Sequence, residues 1–235
     1  MNLILLAPDD FVQEGVVSLS GRRADHVREV HQAGVGRRLR VGLLNGRIGE
    51  GLVTEVSGER LLLGVTLAED PPPPLPVTLL LAMPRPKCFR RVIQCAATMG
   101  VKRIALFGAY RVEKSYWKTP WLEAGALREQ LVLGLEQARD TVMPEVTLHP
   151  LFKPFIEDVV PELTRGSQCL VAHPEPWSGS PVVTGRPVTL AIGPEGGFTD
   201  YEMESLKARQ FTPVSVGLRI LRTEQAVPAL LGRWV

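Results

Sequence analysis

Apolar and polar positions recur with two different periods along the chain, and the change of period marks its organisation. In "RRLRVGLL", Leu39, Val41 and Leu43 fall on one face at period two, the pattern of a half-buried β-strand. Asn45–Gly46 follows, a pair suited to the positive φ angles of a tight hairpin. "IGEGLVTEV" returns, a turn at Ser57–Gly58–Glu59 reverses the chain again, and "RLLLGVTLA" alternates at Leu61, Leu63, Val65 and Leu67. The pattern predicts a β-meander closed into a small barrel.

Beyond "EDPPPPLP" (Glu69–Pro76) strand-like runs alternate with helix-like ones. "VTLLLAM" leads to a segment with Phe89, Val92, Ile93 and Ala96 at helical spacing, stopped by Gly100, and "RIALFGA" follows. In "TPWLEAGALREQLVLGLEQA", Thr119 stands at an N-cap and Pro120 at the first helical position. "EVTL", a helical "FIEDVVPELTRG", "SQCLVA", "VTLAI", a helix after Thr199 and "FTPVSVG" complete the series. Such alternation predicts an α/β domain built on a mostly parallel sheet. Consecutive prolines lack amide donors and favour an extended segment, so two domains are expected, 1–70 and 75–235.

Composition narrows the class. Of 235 residues 45% are apolar and 22% charged, an ordinary globular balance. The apolar run Leu3–Ala7 is too short for a signal peptide or membrane span, and three cysteines without CxxC spacing suit reduced thiols. A cytoplasmic protein without membrane attachment is expected. The four histidines show no metal-ligand spacing, so no metal is expected. Residues 1–70 carry 8 Lys and Arg against 10 Asp and Glu, and the remainder 19 against 15. The basic excess falls in "RPKCFRR", "VKR" and "RVEKSYWK", which suit either an RNA backbone or solvated helix faces.

Two stretches carry candidate chemistry. "IGPEGGFTDYE" (Ile192–Glu202) sets Gly193, Gly196 and Gly197 around Glu195 directly after a strand-like run, where ligands bind in open α/β sheets. It lacks both GxxxxGK[ST] and GxGxxG, and Glu195 would repel phosphate, so a neutral or cationic ligand suits it better. Thr199 and Glu202 read as a capping box for the helix behind. "VGLRILRTEQA" (Val216–Ala226) gathers Arg219, Arg222, Thr223 and Glu224 around Ile220–Leu221. Taken alone, this second stretch also reads as core Ile220 and Leu221, a surface pair Arg222–Glu224 and Thr223 as a helix N-cap.

Together the two stretches resemble the signature pair of the RsmE-type 16S ribosomal RNA uridine N3-methyltransferases, of the SPOUT superfamily. The resemblance implies a PUA-like, RNA-binding β-barrel followed by an α/β trefoil-knot domain. It also implies S-adenosylmethionine as cofactor, small-subunit ribosomal RNA as partner, and a homodimer formed through the knot domain. By position it assigns cofactor binding to Ala172, His173 and Pro174, with Glu175 beside them, to Gly193, Pro194, Glu195, Gly196 and Gly197, and to Val216, Gly217, Leu218, Ile220 and Leu221. Arg222 and Glu224 take the catalytic roles of oxyanion stabiliser and base, with Thr223 as an orienting donor. RNA contacts fall to Arg37, Arg38, Arg85, Lys87, Arg90 and Arg111, and Glu136, Gln137 and Pro144 match the family's "EQ…P" helix end.

The chain departs from the family's pattern at Val30–His31–Gln32, Cys95, Thr98, Asp140, Leu218 and Gln225, and Pro228 interrupts the expected last helix. Cofactor-loop positions are kept better than RNA contacts. A methyltransferase of the same fold acting on another rRNA or tRNA site therefore stays open, as does a non-catalytic RNA-binding or ribosome-assembly paralogue. An enzyme for a small phosphorylated metabolite is disfavoured by the missing phosphate motifs.

Overall fold

The period-two segments near the N-terminus form the strands the pattern predicts, in a computed structural model that describes residues 2–29, 34–58, 60–174 and 179–235. The sequence features at Val30–Gln32, Glu59 and Glu175 lie outside the described residues. Strands β1 (Ile4–Leu6), β2 (Phe11–Gln13), β3 (Val16–Leu19), β4 (Arg38–Leu43), β5 (Ile48–Ser57) and β6 (Arg60–Glu69) pair in the order β1-β4-β5-β6-β3-β2. Only β1 and β4 run parallel. Asn45 adopts φ 58° in the β4–β5 hairpin, as its type allows. Ile4 and Leu6 of β1 share one buried cluster with Leu19 of β3, Val41 of β4, Leu61 and Leu63 of β6, and Ala24 and Val27 of helix α1 (Gly21–Glu29). Strands from opposite ends of the order meet in that cluster, so the sheet curls around it. The barrel does not close by hydrogen bonds: among the described residues β1 and β2 do not pair, and β2 is three residues long with an irregular register against β3.

After the prolines, six strands form a second, wholly parallel sheet: β7 (Val77–Ala82), β8 (Arg103–Phe107), β9 (Glu145–His149), β10 (Gln168–Ala172), β11 (Val188–Ile192) and β12 (Thr212–Val214), in the order β12-β10-β11-β7-β8-β9. The continuous apolar run "VTLLLA" is β7, with Leu79 to Met83 inaccessible to solvent, as a strand covered on both faces requires. The helices are α2 (Pro86–Thr98), α3 (Ala124–Ala138), α4 (Phe152–Pro154), α5 (Val160–Leu163), α6 (Asp200–Lys207) and α7 (Thr223–Leu231). α7 packs against α2 and β11. No helix of the described residues is long and apolar enough to cross a membrane.

Three helical expectations shift in detail. Thr119 precedes a 3-10 turn, Pro120–Leu122, without a side-chain cap; Glu123 is extended, and α3 starts one residue later. The helical run 152–163 is split by a π-helical stretch, Phe155–Val159, between Pro154 and Pro161, neither of which can donate to a helical ladder. α7 continues through Pro228, so the carbonyl of Glu224 has no donor four residues on.

The chain divides into two units, Met1–Pro73 with Val132–Met143, and Pro74–Leu131 with Pro144–Val235. The second half of α3 thus belongs with the first sheet, where Leu135 is buried against Leu3, Leu5 and Ile48. Glu136 is buried there too: its carboxylate meets Arg22 at 2.9 Å and the Leu5 amide at 3.4 Å, and its carbonyl accepts from Asn2 and Leu3 at 3.1 Å each. Burial pushes its carboxyl above the usual range, opposed by Arg22. Asp140 is buried and accepts from the Val142 amide at 2.9 Å.

His149, at the end of β9, packs on Phe155 with ring centroids 4.8 Å apart and meets the Thr147 hydroxyl at 2.9 Å. Burial lowers its pKa from the ordinary 6.5. The folded state therefore prefers neutral imidazole, a contribution present above pH 6.5 and lost as the unfolded chain protonates below it. Denaturant melts between pH 7.5 and 5 are expected to show stability falling on the acid side of 6.5, with a shallower fall in His149→Phe.

Candidate active site

β11, β10 and β12 are neighbours and run parallel, so their carboxyl ends open on the same side of the sheet, the usual place for a ligand in such folds. The loops that leave them, at Ala172–Pro174, Ile192–Phe198 and Val214–Leu221, enclose a cavity of about 290 Å³. That is the lower end of the range for small-molecule sites.

Local sequence explains the loop shapes. Gly197 adopts φ 74°, which favours glycine. A Cβ at Gly193 would stand 3.0 Å from the Phe198 ring, a cavity wall. Behind the turn the capping box forms: Glu202 accepts from the Thr199 amide at 2.8 Å and hydroxyl at 3.0 Å, while the hydroxyl accepts from the Glu202 amide at 3.3 Å. The other oxygen of buried Glu202 accepts from the Tyr110 amide at 2.7 Å, tying the glycine loop to the segment after β8. Arg111 lies along Gly196, its side chain 3.0 Å from where a Cβ would sit and its guanidinium donating to the Gly196 carbonyl. Glu195 lines the cavity and accepts from the Arg85 amide at 3.1 Å. A carboxylate beside the N-terminus of α2 also suits the helix dipole.

The structure brings together most positions that the sequence assigned to cofactor binding. Ala172, His173, Pro174, Gly193 to Gly197, Val216, Gly217, Ile220 and Leu221 all line this cavity. Leu218 does not, and is 88% exposed. Ile220, expected in the core on the plainer reading, is 84% exposed at the cavity, leaving apolar surface for a ligand to cover. Arg219, which the sequence reading left without a role, lines the cavity.

The three residues given catalytic roles sit at the start of α7. Thr223 is its first residue, buried, and a cavity wall. Arg222 occupies the N-cap position that Thr223 was expected to take; its side chain is exposed and its amide donates to Gln225 at 3.3 Å. Among the described residues no ion pair joins Arg222 to Glu224. One carboxylate oxygen of Glu224, Oε2, is buried without a hydrogen-bond partner. Cys88, on the first turn of α2, is close by: burial first, then the charge and hydrogen bond of the Glu224 carboxylate, and then the charge of Glu195, raise its thiol pKa. Cys88 is thus a protonated neighbour to an acceptor-rich corner.

The positions assigned to RNA contact divide. Arg37 is exposed, and Arg38 pairs with Glu50 at 2.7 Å. Arg85, Lys87 and Arg90 are exposed on the first turns of α2, and the Arg90 guanidinium lies 4.6 Å over the Trp121 ring. Arg111 braces Gly196.

Comparison with known proteins defines the family. The model of the RNA methyltransferase domain matches residues 71–235, which takes in the second sheet, all three loops and α7. The chain belongs to the RNA methyltransferase domain family. It is similar to the ribosomal RNA small subunit methyltransferase E of Treponema pallidum, 28% identical over 236 residues covering 97% of this chain and 88% of the relative. The protein of the same name from Synechocystis is 26% identical over 233 residues, covering 98% and 76%. Among solved structures, the ribosomal RNA small subunit methyltransferase E of Neisseria gonorrhoeae, bound to S-adenosyl methionine, superposes with a TM-score of 0.77 at 18% identity, covering 99% of this chain and 96% of that one. The family member described here shares that fold over both sheets.

Sequence reasoning did not find the contacts that couple the loops. The bonds from Glu202 to Tyr110 and from Glu195 to Arg85 join residues 92 and 110 apart in the chain. Their only local trace was the acidic residue in each position.

Proposed function

We propose that the protein transfers a methyl group from S-adenosylmethionine to N3 of a uridine in small-subunit ribosomal RNA. The observation that carries this reading is the three-loop cavity, which Thr223 lines at the start of α7; Arg222 and Glu224 flank Thr223 in sequence but are not part of the cavity wall, and Glu224 Oε2 is buried.

The cavity residues suit the cofactor. Ile192, Val214, Ile220 and Leu221 offer apolar walls, glycine turns allow close backbone approach, and Glu195 supplies a carboxylate compatible with a sulfonium and hostile to phosphate. When bound there, S-adenosylmethionine supplies an electrophilic methyl group.

The chain's own residues handle the proton and the charge. Uridine N3 carries an imide proton that must leave before N3 can act as a nucleophile, and Glu224, next in the chain to the cavity-lining Thr223, is the carboxylate assigned to take it. Negative charge then spreads onto O2 and O4 of the ring, and Arg222 is the guanidinium beside it in sequence to stabilise that charge. Thr223, buried between them and facing the cavity, orients the base. Holding N3 in line with the methyl donor contributes through orientation.

The same reading includes a trefoil knot, a PUA-like first domain, a homodimer and a cytoplasmic location. Two contacts support the knot: the carbonyls of Gly179 and Pro181, in the β10–β11 connection, accept from Ser215 at 3.3 Å and Arg233 at 3.4 Å, as a loop over the chain's last passage would. Leu131, Leu135, Leu230 and Leu231 are buried within one chain, so a second copy would use other surface, for which the exposed Tyr110, Leu151 and Tyr201 around a groove of about 490 Å³ are suited.

Primer extension on small-subunit RNA treated with enzyme and cofactor is the test. N3 methylation blocks base pairing, so a new stop at one uridine is expected; no stop together with label incorporated elsewhere would reassign the target.

A further inference from the structure

The aromatic residues of the segment between β8 and α3 sit next to the basic start of α2, outside the cavity and outside any role given so far. Tyr116 lies within the 3-10 turn Lys114–Lys118, its hydroxyl 3.1 Å from Glu113 and within hydrogen-bond reach of the Arg85 guanidinium. Trp121, in the next turn, is half-buried and carries Arg90 on one face at 4.6 Å. Residues 85–91 and 111–123 together hold seven Lys and Arg against two Glu. Lys87, Lys114 and Lys118 are exposed and form no ion pair among the described residues. The patch adjoins the cavity, because Arg85 donates its amide to the cavity carboxylate Glu195.

We propose that this surface is a platform for a single strand of RNA flanking the target nucleotide, with an unpaired base stacked on the Trp121–Arg90 pair and phosphates held by Lys87, Lys114 and Lys118. Stacking on aromatic rings and guanidinium planes is how proteins hold unpaired bases, while clustered lysines track the phosphates. A duplex offers no base face to such a platform. The inference rests on the uridine reading in one respect: N3 is a Watson–Crick donor, so a uridine modified there must be unpaired, and its neighbours are then available for stacking.

The test is fluorescence anisotropy of a labelled ten-nucleotide mixed-sequence RNA, single-stranded or annealed to its complement, with the full-length protein and no cofactor. The single strand is expected to bind more tightly than the duplex. Trp121→Ala and Arg90→Ala should each weaken it roughly tenfold, the scale of one lost base stack, while Trp121→Phe retains most of the affinity and controls for folding. Lys114→Ala with Lys118→Ala should flatten the slope of log K against log salt by about 1.4, two phosphate contacts' worth. Equal affinity for duplex and single strand, or unchanged binding in Trp121→Ala and Arg90→Ala, would overturn the proposal, as would unaltered salt dependence in the double lysine variant. S-adenosylmethionine affinity measured on the same proteins separates the two readings: a protein that binds RNA in this way yet binds no cofactor leaves the platform standing and removes the methyltransferase assignment.

Discussion

Replacing Glu224 by Gln lowers the rate of methyl transfer by about 10²–10⁴, the usual contribution of a positioned base, with S-adenosylmethionine affinity unchanged. The substitution keeps the size of a side chain whose Oε2 is buried, so it removes the proton acceptor, and with it the negative charge beside the Cys88 thiol. Arg222→Ala is expected to cost roughly 10²–10³, comparable to loss of one oxyanion donor; its side chain is exposed, so the fold should tolerate the change. Single-turnover methylation of small-subunit RNA, with cofactor binding measured in parallel, reads both. If either variant transferred methyl at the wild-type rate, its residue would lose its assigned role. The pair would then leave Arg219, which faces the cavity, as the next cation to examine.

Glu202→Ala is expected to destabilise the protein by about 2 kcal/mol, since it takes the acceptor from two part-buried amides, those of Thr199 and Tyr110, at once. Glu202 is 2% exposed and holds the Thr199 amide and hydroxyl with one oxygen and the Tyr110 amide with the other. A cap alone is worth about 1 kcal/mol; the excess measures the long-range tie to Tyr110. Urea denaturation checks the magnitude. A loss no larger than an ordinary cap would mean that the Tyr110 bond contributes nothing to stability. Because Glu202 anchors the end of the loop that holds Gly193 to Gly197, weaker cofactor binding should accompany the loss.

The elements legible in the sequence were those whose pattern is local. Alternation at Leu39–Leu43 and Leu61–Leu67 gave the strands of the first sheet, and the unbroken run at Leu79–Leu81 gave a strand buried on both faces. The Thr199–Glu202 box could be read four residues at a time and formed as written. Thr119–Pro120 looked equally clear, yet a 3-10 turn forms there because the chain turns extended at Glu123 before α3 begins.

Contacts between distant segments were not legible. Glu136 matched the family's helix end by resemblance, and its burial against Arg22 and its carbonyl bonds to the N-terminal amides could not be read from that match. That Arg111, an exposed residue assigned to RNA contact, also packs on Gly196 could not be read from the sequence. Cys88 and Glu224 belong to helices at opposite ends of the second sheet's sequence, and only the packing of α7 on α2 brings them together. For Glu195, sequence chemistry pointed to a cationic ligand; the fold adds that its carboxylate also holds the start of α2.

The central claim is that the three-loop cavity holds S-adenosylmethionine, and calorimetric titration of the cofactor into wild-type and Gly193→Val protein tests it most directly. A valine at 193 would force its Cβ to within 3.0 Å of the Phe198 ring and displace that wall. Saturable one-site binding to the wild type, weakened at least about tenfold by a shift of roughly 1.4 kcal/mol in the variant, is the expected result. No heat of binding at millimolar cofactor, or equal affinity for both proteins, would contradict it.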